Sequence, residues 1–414
     1  MNRIITVCAL VLLCVNPACF EGPNCMNLPL CAVLILSPLA LLIKGTRVII
    51  PRVDIPLTLV MICAILFPAL FHPQTLRWIT ILYTCAFCIF FMMLARMVRI
   101  SDLDPAILFK TVKGLVYAFL IVLIIQQVCV LLHLPIFLES LIGNRFEPFK
   151  LNSLTAEASH TTLVLSVIMM IYAQSRTYID QNLTLTEEFK HNYLLWIAYY
   201  YVIFTTLNSS AFLMWFLPLL PFIRKRDALP TVVGIAAVIL IVYASPLGEY
   251  RMMQRISKTG IAAMSLDTDK LIAADPSIAQ RIVPSIWGFK AVNFTEADNY
   301  VGHGTDSVDR DFPDDLADPD GVKSAGIFTI WYNYGMFCAL ALWSLIFIVT
   351  VIPRQWTTWI VFLLGIQLSS NYNVQLMWML MAFAMVYKFS ICNQQRLLKP
   401  HSIRNIKTGA PYIV

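Results

Sequence analysis

Charged residues are scarce in this chain, and their scarcity limits the protein classes to which it can belong. Only 13% of the 414 residues are Asp, Glu, Lys or Arg, whereas 59% are hydrophobic. Such a composition is typical of polytopic membrane proteins rather than of soluble domains. The hydrophobic runs are continuous instead of alternating, which excludes a membrane β-barrel. We therefore predict an all-α membrane protein, because helices satisfy their own backbone hydrogen bonds in lipid.

The chain also lacks the motifs of nucleotide and metal chemistry. It has no Walker loop, dinucleotide fingerprint, HExxH or GxSxG motif, and its cysteines have no zinc-type spacing. The acidic run from Asp306 to Asp320 lacks the glycine and terminal glutamate of an EF-hand, so a solvated loop explains it better, with weak divalent binding left open. The net charge of +6 is spread over short loops and the tail and is not a nucleic-acid footprint. We predict no cofactor, no metal and no nucleic-acid partner.

About twelve hydrophobic segments are long enough to cross a bilayer. They lie at 4–20, 28–43, 56–72, 78–95, 113–134, 154–174, 193–207, 210–223, 230–246, 326–351, 355–370 and 373–391. Half of the acidic residues fall in the long polar stretch Tyr250–Lys323. The predicted organisation is therefore nine helices in 1–246, a large loop in 247–325, three helices in 326–392 and a basic tail in 393–414.

The basic residues of the short connections predict how the chain is oriented. Every second short connection is rich in Lys and Arg, and the connections between them carry few. Positively charged short loops stay in the cytoplasm, whereas long loops escape this rule. We therefore predict that both termini are cytoplasmic, that the loop 247–325 lies on the outer face, and that the basic tail contacts lipid of the inner leaflet.

The large loop carries two candidate functional residues. Arg281 opens an amphipathic stretch that continues through Pro284 to Trp287, and an arginine side chain can bind phosphate through two parallel hydrogen bonds. A surface ion pair is the alternative for this arginine. His303 lies between Gly302 and Gly304, which permit a tight turn and the close approach of a ligand. Such a histidine can take a proton from a hydroxyl group, although a lone loop histidine is more often simply exposed.

A second group of candidates precedes and opens the sixth hydrophobic segment. Arg145 comes first, and Glu157 and His160 follow at a spacing of three, which puts them on one face if that part is helical. Ionisable residues that enter a membrane helix usually face a cavity in the bundle. The alternative is that both residues are solvated at the interface or cap the helix. Asn208 opens the sequence Asn208-Ser209-Ser210, which predicts a tight turn between two short helices.

Together these features resemble a bacterial family. About twelve spans, the stretch Thr155-Ala156-Glu157-Ala158-Ser159-His160, the Asn208-Ser209-Ser210 turn and a late outer loop with an arginine-led helix are similar to the Wzy-type polysaccharide repeat-unit polymerases. The related O-antigen ligases share this layout. The resemblance by motif covers only 145–160, 208–210 and 281–304. It departs from the family at Ala158, where the glutamate motif usually has proline, and at Gly304, where the ligases commonly have asparagine.

The resemblance implies glycosyl transfer at the periplasmic face of a bacterial inner membrane. The donor would be a glycan on polyprenyl (undecaprenyl) pyrophosphate, and the acceptor would be another lipid-linked repeat unit. No cofactor is needed. A flippase and a chain-length regulator are the expected partners, and the product would be O-antigen or exopolysaccharide.

The resemblance also implies roles for the candidate residues. Arg281 and Arg145 would hold the pyrophosphate, and Trp287 and Asn208 would contact the glycan. Glu157 or His303 would deprotonate the acceptor hydroxyl. We expect Glu157 to be the base, with His160 as its partner, because a helix positions a catalytic group more accurately than a loop does. His303 would then assist acceptor binding.

Two other functions remain open at this point. An O-antigen ligase would pass the glycan to a lipid A core instead of to another repeat unit. A transporter of lipid-linked sugars or small solutes would show paired halves and interrupted helices near the membrane centre. The sequence shows no such symmetry, and its ionisable residues gather at the outer ends of the predicted spans.

Overall fold

The described part of the protein is built from helices. A computed structural model describes residues 2–16, 34–35, 50–101, 103–136, 138, 148–206, 214–223, 233, 268–274, 276–312, 325–369, 372 and 375–391. Within these ranges the regular elements are helical, apart from a single β-bridge between Asn16 and Thr155. The predicted all-α class is therefore confirmed for the described residues.

Thirteen α-helices follow one another along the described chain. Their bounds are α1 Asn2–Cys14, α2 Pro51–Phe71, α3 Trp78–Ser101, α4 Pro105–Leu131, α5 Ala158–Ile179, α6 Leu185–Thr205, α7 Thr268–Ala274, α8 Pro276–Ala291, α9 Asp298–Val301, α10 Ser307–Asp311, α11 Thr329–Thr350, α12 Thr357–Leu368 and α13 Gln375–Val386. Three short 3₁₀-helices and a final π-helix complete the set, at Pro73–Thr75, Leu217–Phe222, Gly326–Phe328 and Tyr387–Ile391.

Four helices among the described residues are long and apolar enough to cross a bilayer. They are α2, α3, α4 and the continuous stretch Gly326–Thr350, with lengths of 21, 24, 27 and 25 residues and mean hydropathies of 2.2, 2.1, 2.4 and 1.7. A bilayer core needs about 20 apolar residues in a helix. The architecture is thus that of a multi-pass membrane protein, as the hydrophobic runs predicted.

Some predicted segments differ from the observed helices. The segment 28–43 lies outside the described residues except for positions 34 and 35, and 230–246 lies outside except for 233. Within 210–223 the described residues are α-helical at Met214 and form the six-residue 3₁₀-helix Leu217–Phe222, which contains Pro218 and Pro221. Proline removes a backbone donor and clashes with the preceding turn, so this piece does not form an α-helix.

The described helices define two ends of a bundle. We call the end at which α2 finishes and α3 begins the loop end, and the end at which α3 finishes and α4 begins the opposite end. Residues 148–157 lie at the loop end, because Gln126 in the last part of α4 donates from Nε2 to Oδ1 of Asn152 at 3.2 Å. Residues 298–312 lie there too, since Nε2 of His72 is 2.7 Å from the carbonyl oxygen of Gly302.

Both termini of the described chain lie at the opposite end. Nε of Arg3 donates to the carbonyl oxygen of Ser101 at 2.9 Å, where α3 finishes. Nζ of Lys388 donates to the carbonyl oxygen of Val351 at 2.9 Å, just beyond the end of α11. The first helix therefore begins, and the last helix ends, at the same end of the bundle.

Reporter fusions are expected to place the loop end outside the cytoplasm. The opposite end gathers basic residues on α3, α4 and α5, and such residues favour the cytoplasmic side. Alkaline phosphatase fused at Asp267 should be active, whereas the same enzyme fused to the C terminus should be inactive. A fluorescent protein, which folds in the cytoplasm, should give the reverse pattern. An inactive phosphatase at Asp267 in a stable fusion would contradict the predicted orientation.

Two ion pairs with little solvent contact join neighbouring helices. The guanidinium of Arg96 in α3 donates through Nη1 and Nη2 to the two carboxylate oxygens of Asp54 in α2, both at 2.9 Å. Glu188 of α6 is fully buried and accepts hydrogen bonds from Nε of Arg176 at 3.1 Å and from the hydroxyl of Tyr172 at 2.9 Å, both on α5. Charges removed from water require such partners, so these pairs fix which helices are neighbours.

Candidate functional site

Four of the residues that were predicted from the sequence have described side chains, and these four lie in two separate regions. Arg145 and Asn208 lie outside the described residues, and for Arg281 only the backbone, within α8, is described. Trp287 and His303 belong to a group of residues on α8, on α11 and on the segment between them. Glu157 and His160 lie at the start of α5.

His303 is held in a turn that rests against α11. Its backbone N–H donates to the carbonyl oxygen of Tyr332 at 2.8 Å, and the N–H of Gly304 donates to that of Asn333 at 3.2 Å. Both carbonyl groups belong to the turn of α11 just before the helix is interrupted at Gly335. The φ angles of Gly302 and Gly304 are 86° and 102°, values that glycine adopts readily and other residues rarely adopt.

Replacing Gly302 with alanine is expected to destabilise the protein. Its backbone lies at φ 86° and ψ 174°, a region essentially reserved for glycine, and a β-carbon there would strike the carbonyl group of Asn333. The cost should be about 1–3 kcal/mol, seen as a lower midpoint of thermal unfolding in detergent. Gly114→Ala is the matched control, because nothing lies within 4 Å of its β-carbon position inside α4. A Gly302→Ala protein as stable as the control would show that this turn is not held as described.

The ring of His303 has a fixed orientation. It stacks on the ring of Tyr332, with centroids 4.0 Å apart and planes 6° from parallel. Its Nδ1 lies 3.2 Å from the carbonyl oxygen of Tyr332. A carbonyl oxygen only accepts hydrogen bonds, so Nδ1 carries the proton and Nε2 of the neutral ring keeps its lone pair. The imidazole is thus oriented as a proton acceptor.

Other polar and aromatic groups surround this ring. Arg310 donates from Nη2 to the carbonyl oxygen of His303 at 3.2 Å and forms an ion pair with Asp311 at 2.7 Å. The ring of Phe312 lies 5.0 Å from that of Tyr332 and 6.2 Å from that of Trp287. Trp287 and His303, two of the residues predicted from the sequence, are therefore connected in the structure through the rings of Phe312 and Tyr332.

A small, partly open cleft lies beside His303, with a volume of about 10 Å³, which is room for about one water molecule. We call it the His303 cleft; its lining residues are Gly288, Ala291, Val292, Asn299, His303, Phe328, Trp331 and Tyr332. Asn299 is 6% exposed, and its carbonyl oxygen accepts a hydrogen bond from Nε1 of Trp331 at 2.9 Å. Asn299, Trp331 and Tyr332 were not predicted from the sequence, because no motif or spacing distinguishes them.

Helix α8 forms one wall of this cleft. A β-carbon at Gly288 would lie 2.7 Å from Cβ of Phe328, so the absence of a side chain lets α8 pack directly on the 3₁₀-helix Gly326–Phe328. The backbone of Arg281 lies in the same helix, seven residues before Gly288. Seven residues are two turns and about 10 Å along a helix axis. The arginine position is therefore close to the cleft along α8.

Glu157 occupies a different position from the predicted one. It is the N-cap of α5, with extended backbone angles of φ −139° and ψ 151°, and the helix begins only at Ala158. Glu157 therefore lies outside the helix that carries His160, which is the alternative in which the glutamate stands at the helix end instead of on a shared helix face. The hydroxyl of Thr155 donates to the carbonyl oxygen of Glu157 at 2.6 Å, and the hydroxyl of Ser159 donates to its Oε2 at 3.0 Å.

Buried polar side chains support the segment that leads to Glu157. The backbone N–H of Ser153 donates to Oε1 of Gln126 at 2.8 Å, and its hydroxyl donates to the carbonyl oxygen of Phe119 at 2.7 Å. The hydroxyls of Thr155 and Thr161 are 2.8 Å apart. Networks in which buried polar groups are satisfied make a structure rigid. This cluster holds the entry to α5 in place at the loop end.

The two regions share an end of the bundle but not an interface. Helix α5 makes no extended packing contact with α8, α9 or α10 among the residues that the structure describes. The structure therefore places Glu157 and His160 on the same side as His303 without bringing them into its cleft. Within the described ranges, no three His, Cys, Asp or Glu side chains are grouped closely enough to hold a metal ion.

Comparison with known protein families finds no matching family model, and comparison with curated proteins finds no match either.

Proposed function

We propose that this protein is a glycosyltransferase that polymerises oligosaccharide repeat units carried on polyprenyl pyrophosphate. The observation that carries the proposal is the His303 ring, whose Nδ1 lies at a carbonyl oxygen and which lines a cleft at one end of an apolar helix bundle. A bundle of this kind suits lipid-linked substrates, because their chains stay in the bilayer while their sugars meet the site at its surface. The resemblance to Wzy-type polymerases points to the same chemistry.

The reaction needs one proton acceptor and one group that stabilises the leaving phosphate. In our proposal, Nε2 of His303 takes the proton of the acceptor hydroxyl, and the oxygen attacks the anomeric carbon of the donor glycan. The bond from that carbon to the pyrophosphate oxygen breaks, and polyprenyl pyrophosphate leaves with the electron pair. The guanidinium of Arg281 would stabilise the charge on that phosphate. Proton removal by a positioned base typically contributes about 10²–10⁴-fold to the rate.

The geometry favours His303 over Glu157 as the base. Glu157 stands at the N-cap position of α5 and its carboxylate accepts the Ser159 hydroxyl, whereas His303 lines the cleft and its Nδ1 lies at a carbonyl oxygen. In this proposal Glu157 and His160 contribute to the donor side at the same end of the bundle. Arg145 and Asn208 keep the binding roles that the resemblance implies, and the flippase and chain-length regulator remain the proposed partners.

The proposed location is the periplasmic face of a bacterial inner membrane. The basic residues at the opposite end of the bundle support this location, since they favour the cytoplasm. The site would then meet donor and acceptor after both have crossed the membrane.

Glycan analysis in a deletion strain tests the proposed function. Loss of a polymerase should leave single repeat units on the polyprenyl lipid at the outer face, and the plasmid-borne gene should restore long chains. A ligase would instead leave long glycans on the polyprenyl lipid, and a transporter would leave single repeat units at the cytoplasmic face. Unchanged chain lengths in the deletion strain would rule out all three functions in that glycan pathway.

A further inference from the structure

We infer that Phe289, near the end of α8, and Phe294, just after it, insert their side chains into the lipid leaflet at the loop end of the bundle. The two side chains are 69% and 59% exposed, although phenylalanine is among the residues most often buried. Exposed apolar residues that form one continuous patch mark contact with a membrane or a partner. Such a contact is independent of the proposed function, since it depends only on the surface beside α11.

The interruption of α11 lies within the thickness of the bilayer. Beyond Gly335, whose backbone is non-helical, residues 336–350 continue the helix toward the opposite end. Fifteen residues extend over about 22 Å, whereas the apolar core of a bilayer is about 30 Å thick. The exposed basic residue Arg354 follows closely, so α11 leaves the core soon after residue 350. Residues that precede the break therefore fill the remaining depth of the leaflet at the loop end.

The part of α11 before the break folds back toward the rest of the helix. The rings of Trp331 and Trp343 are 5.9 Å apart, although twelve residues of an unbroken helix would separate them by about 18 Å along its axis. Trp343 lies eight residues beyond Gly335, which is about 12 Å deeper along the span. The 3₁₀-helix Gly326–Phe328 also packs on the apolar helix α12. The start of α11 therefore lies at the depth of the membrane.

Phe289 and Phe294 pack against this folded-back part. The ring of Phe289 is 6.1 Å from that of Phe328, and the ring of Phe294 is 6.0 Å from that of Trp331. The rings of Phe328 and Trp331 are themselves 6.0 Å apart. The two exposed rings thus share the depth of the residues that carry them.

The lipid-facing side of α11 continues into the same surface. Phe337, two residues beyond the break, is 51% exposed, and Leu340, three residues further, is 49% exposed. The ring of Tyr300 lies 6.1 Å from that of Phe337, and its hydroxyl donates to the carbonyl oxygen of Phe294 at 3.1 Å. Exposed apolar side chains of a membrane span meet acyl chains. Lipid is therefore the partner that fits the adjoining phenylalanines.

Polar residues mark the other side of this segment. Thr295, Glu296 and Asp298 are all exposed, and a carboxylate is costly to remove from water. A segment with apolar side chains toward lipid and charged side chains toward water lies in the plane of the membrane interface. The turn at His303, five residues after Asp298, is thereby held at the membrane surface.

Photo-cross-linking of the full chain in lipid nanodiscs tests this contact. p-Benzoylphenylalanine would replace Phe289 or Phe294, in a bilayer of phosphatidylethanolamine and phosphatidylglycerol. On irradiation its carbonyl group takes a hydrogen atom from a nearby C–H group, and the two resulting carbon radicals join. Mass spectrometry of the intact protein then detects a gain of one phospholipid. Both positions should give about tenfold more of this adduct than position 297, because acyl chains meet one side of the segment and water meets the other.

Two positions of the same chain provide matched controls. Phe337→p-benzoylphenylalanine lies on the span and should give the phospholipid adduct, whereas Ala297→p-benzoylphenylalanine, between two exposed carboxylates, should give little. If the variants at Phe289 and Phe294 react with lipid no more than the variant at Ala297, or if they join two copies of the chain, the two phenylalanines do not insert into lipid. A lack of lipid adduct at Phe337 would also overturn the inference, since α11 would then not face lipid beside the break.

Discussion

Replacing His303 with glutamine is expected to leave lipid-linked glycans almost entirely as single repeat units. Glutamine retains a polar side chain of similar size but cannot take up a proton from the acceptor. The loss of a positioned base should slow chain growth about 10²–10⁴-fold. That range corresponds to roughly 3–5 kcal/mol in the activation barrier. Gel analysis of the glycans in the deletion strain, complemented with each variant at equal protein levels, measures the effect.

Glu157→Gln is the informative comparison for this experiment. Glu157 stands at the N-cap position of α5 outside the His303 cleft, and glutamine keeps the hydrogen bonds of a donor-side contact, so this variant should slow chain growth far less than His303→Gln does. If Glu157→Gln stops polymerisation while His303→Gln only shortens the chains, the base is Glu157, as the sequence had suggested. Equal thermal unfolding midpoints for both variants would show that neither result reflects misfolding.

Replacing Arg281 with alanine is expected to reduce the rate of polymerisation by two to three orders of magnitude. The arginine would hold the pyrophosphate that leaves the donor, and losing one such contact typically costs about 2–4 kcal/mol in the barrier. Arg281→Lys should restore part of the rate, because lysine supplies the charge but not the two parallel hydrogen bonds that a guanidinium donates to one phosphate. Turnover of a synthetic lipid-linked repeat unit by purified protein gives the rates directly.

Lys290→Ala provides the matched control for Arg281. Lys290 is an exposed basic residue in the last turn of the same helix, α8, so its removal changes the net charge equally. It should leave the turnover rate close to that of the wild type. Wild-type turnover in Arg281→Ala would show that this arginine is structural and that the donor phosphate is bound elsewhere.

The long helices were predictable because hydrophobicity along the chain determines them directly. The segments 78–95 and 326–351 correspond closely to α3 and to Gly326–Thr350. Helix α2 begins at Pro51, five residues before the predicted segment, because its first turn is polar and proline suits the first position of a helix. The segment 210–223 was apolar enough to be counted as a span, but its proline-containing part forms the short 3₁₀-helix Leu217–Phe222.

The candidate site was less predictable, because it depends on contacts between distant parts of the chain. The turn at His303 could be predicted from its two adjacent glycines. The stacking of the His303 ring on Tyr332 could not be predicted, because Tyr332 lies 29 residues further along the chain, in a helix whose sequence is mostly apolar. Asn299 has no local signal at all, since only its burial beside the cleft distinguishes it from other loop asparagines.

The ion pair between Asp54 and Arg96 has a consequence for how the protein enters the membrane. Each residue alone would bring an uncompensated charge near the end of a long, mostly apolar helix, and such charges are costly to remove from water. The two charges are joined by two hydrogen bonds of 2.9 Å, so together they can leave water at a much lower cost. Helices α2 and α3 should therefore pass from the translocon into lipid as one hairpin. During synthesis, Asp54 would therefore stay beside the translocon until the segment that contains Arg96 has emerged from the ribosome.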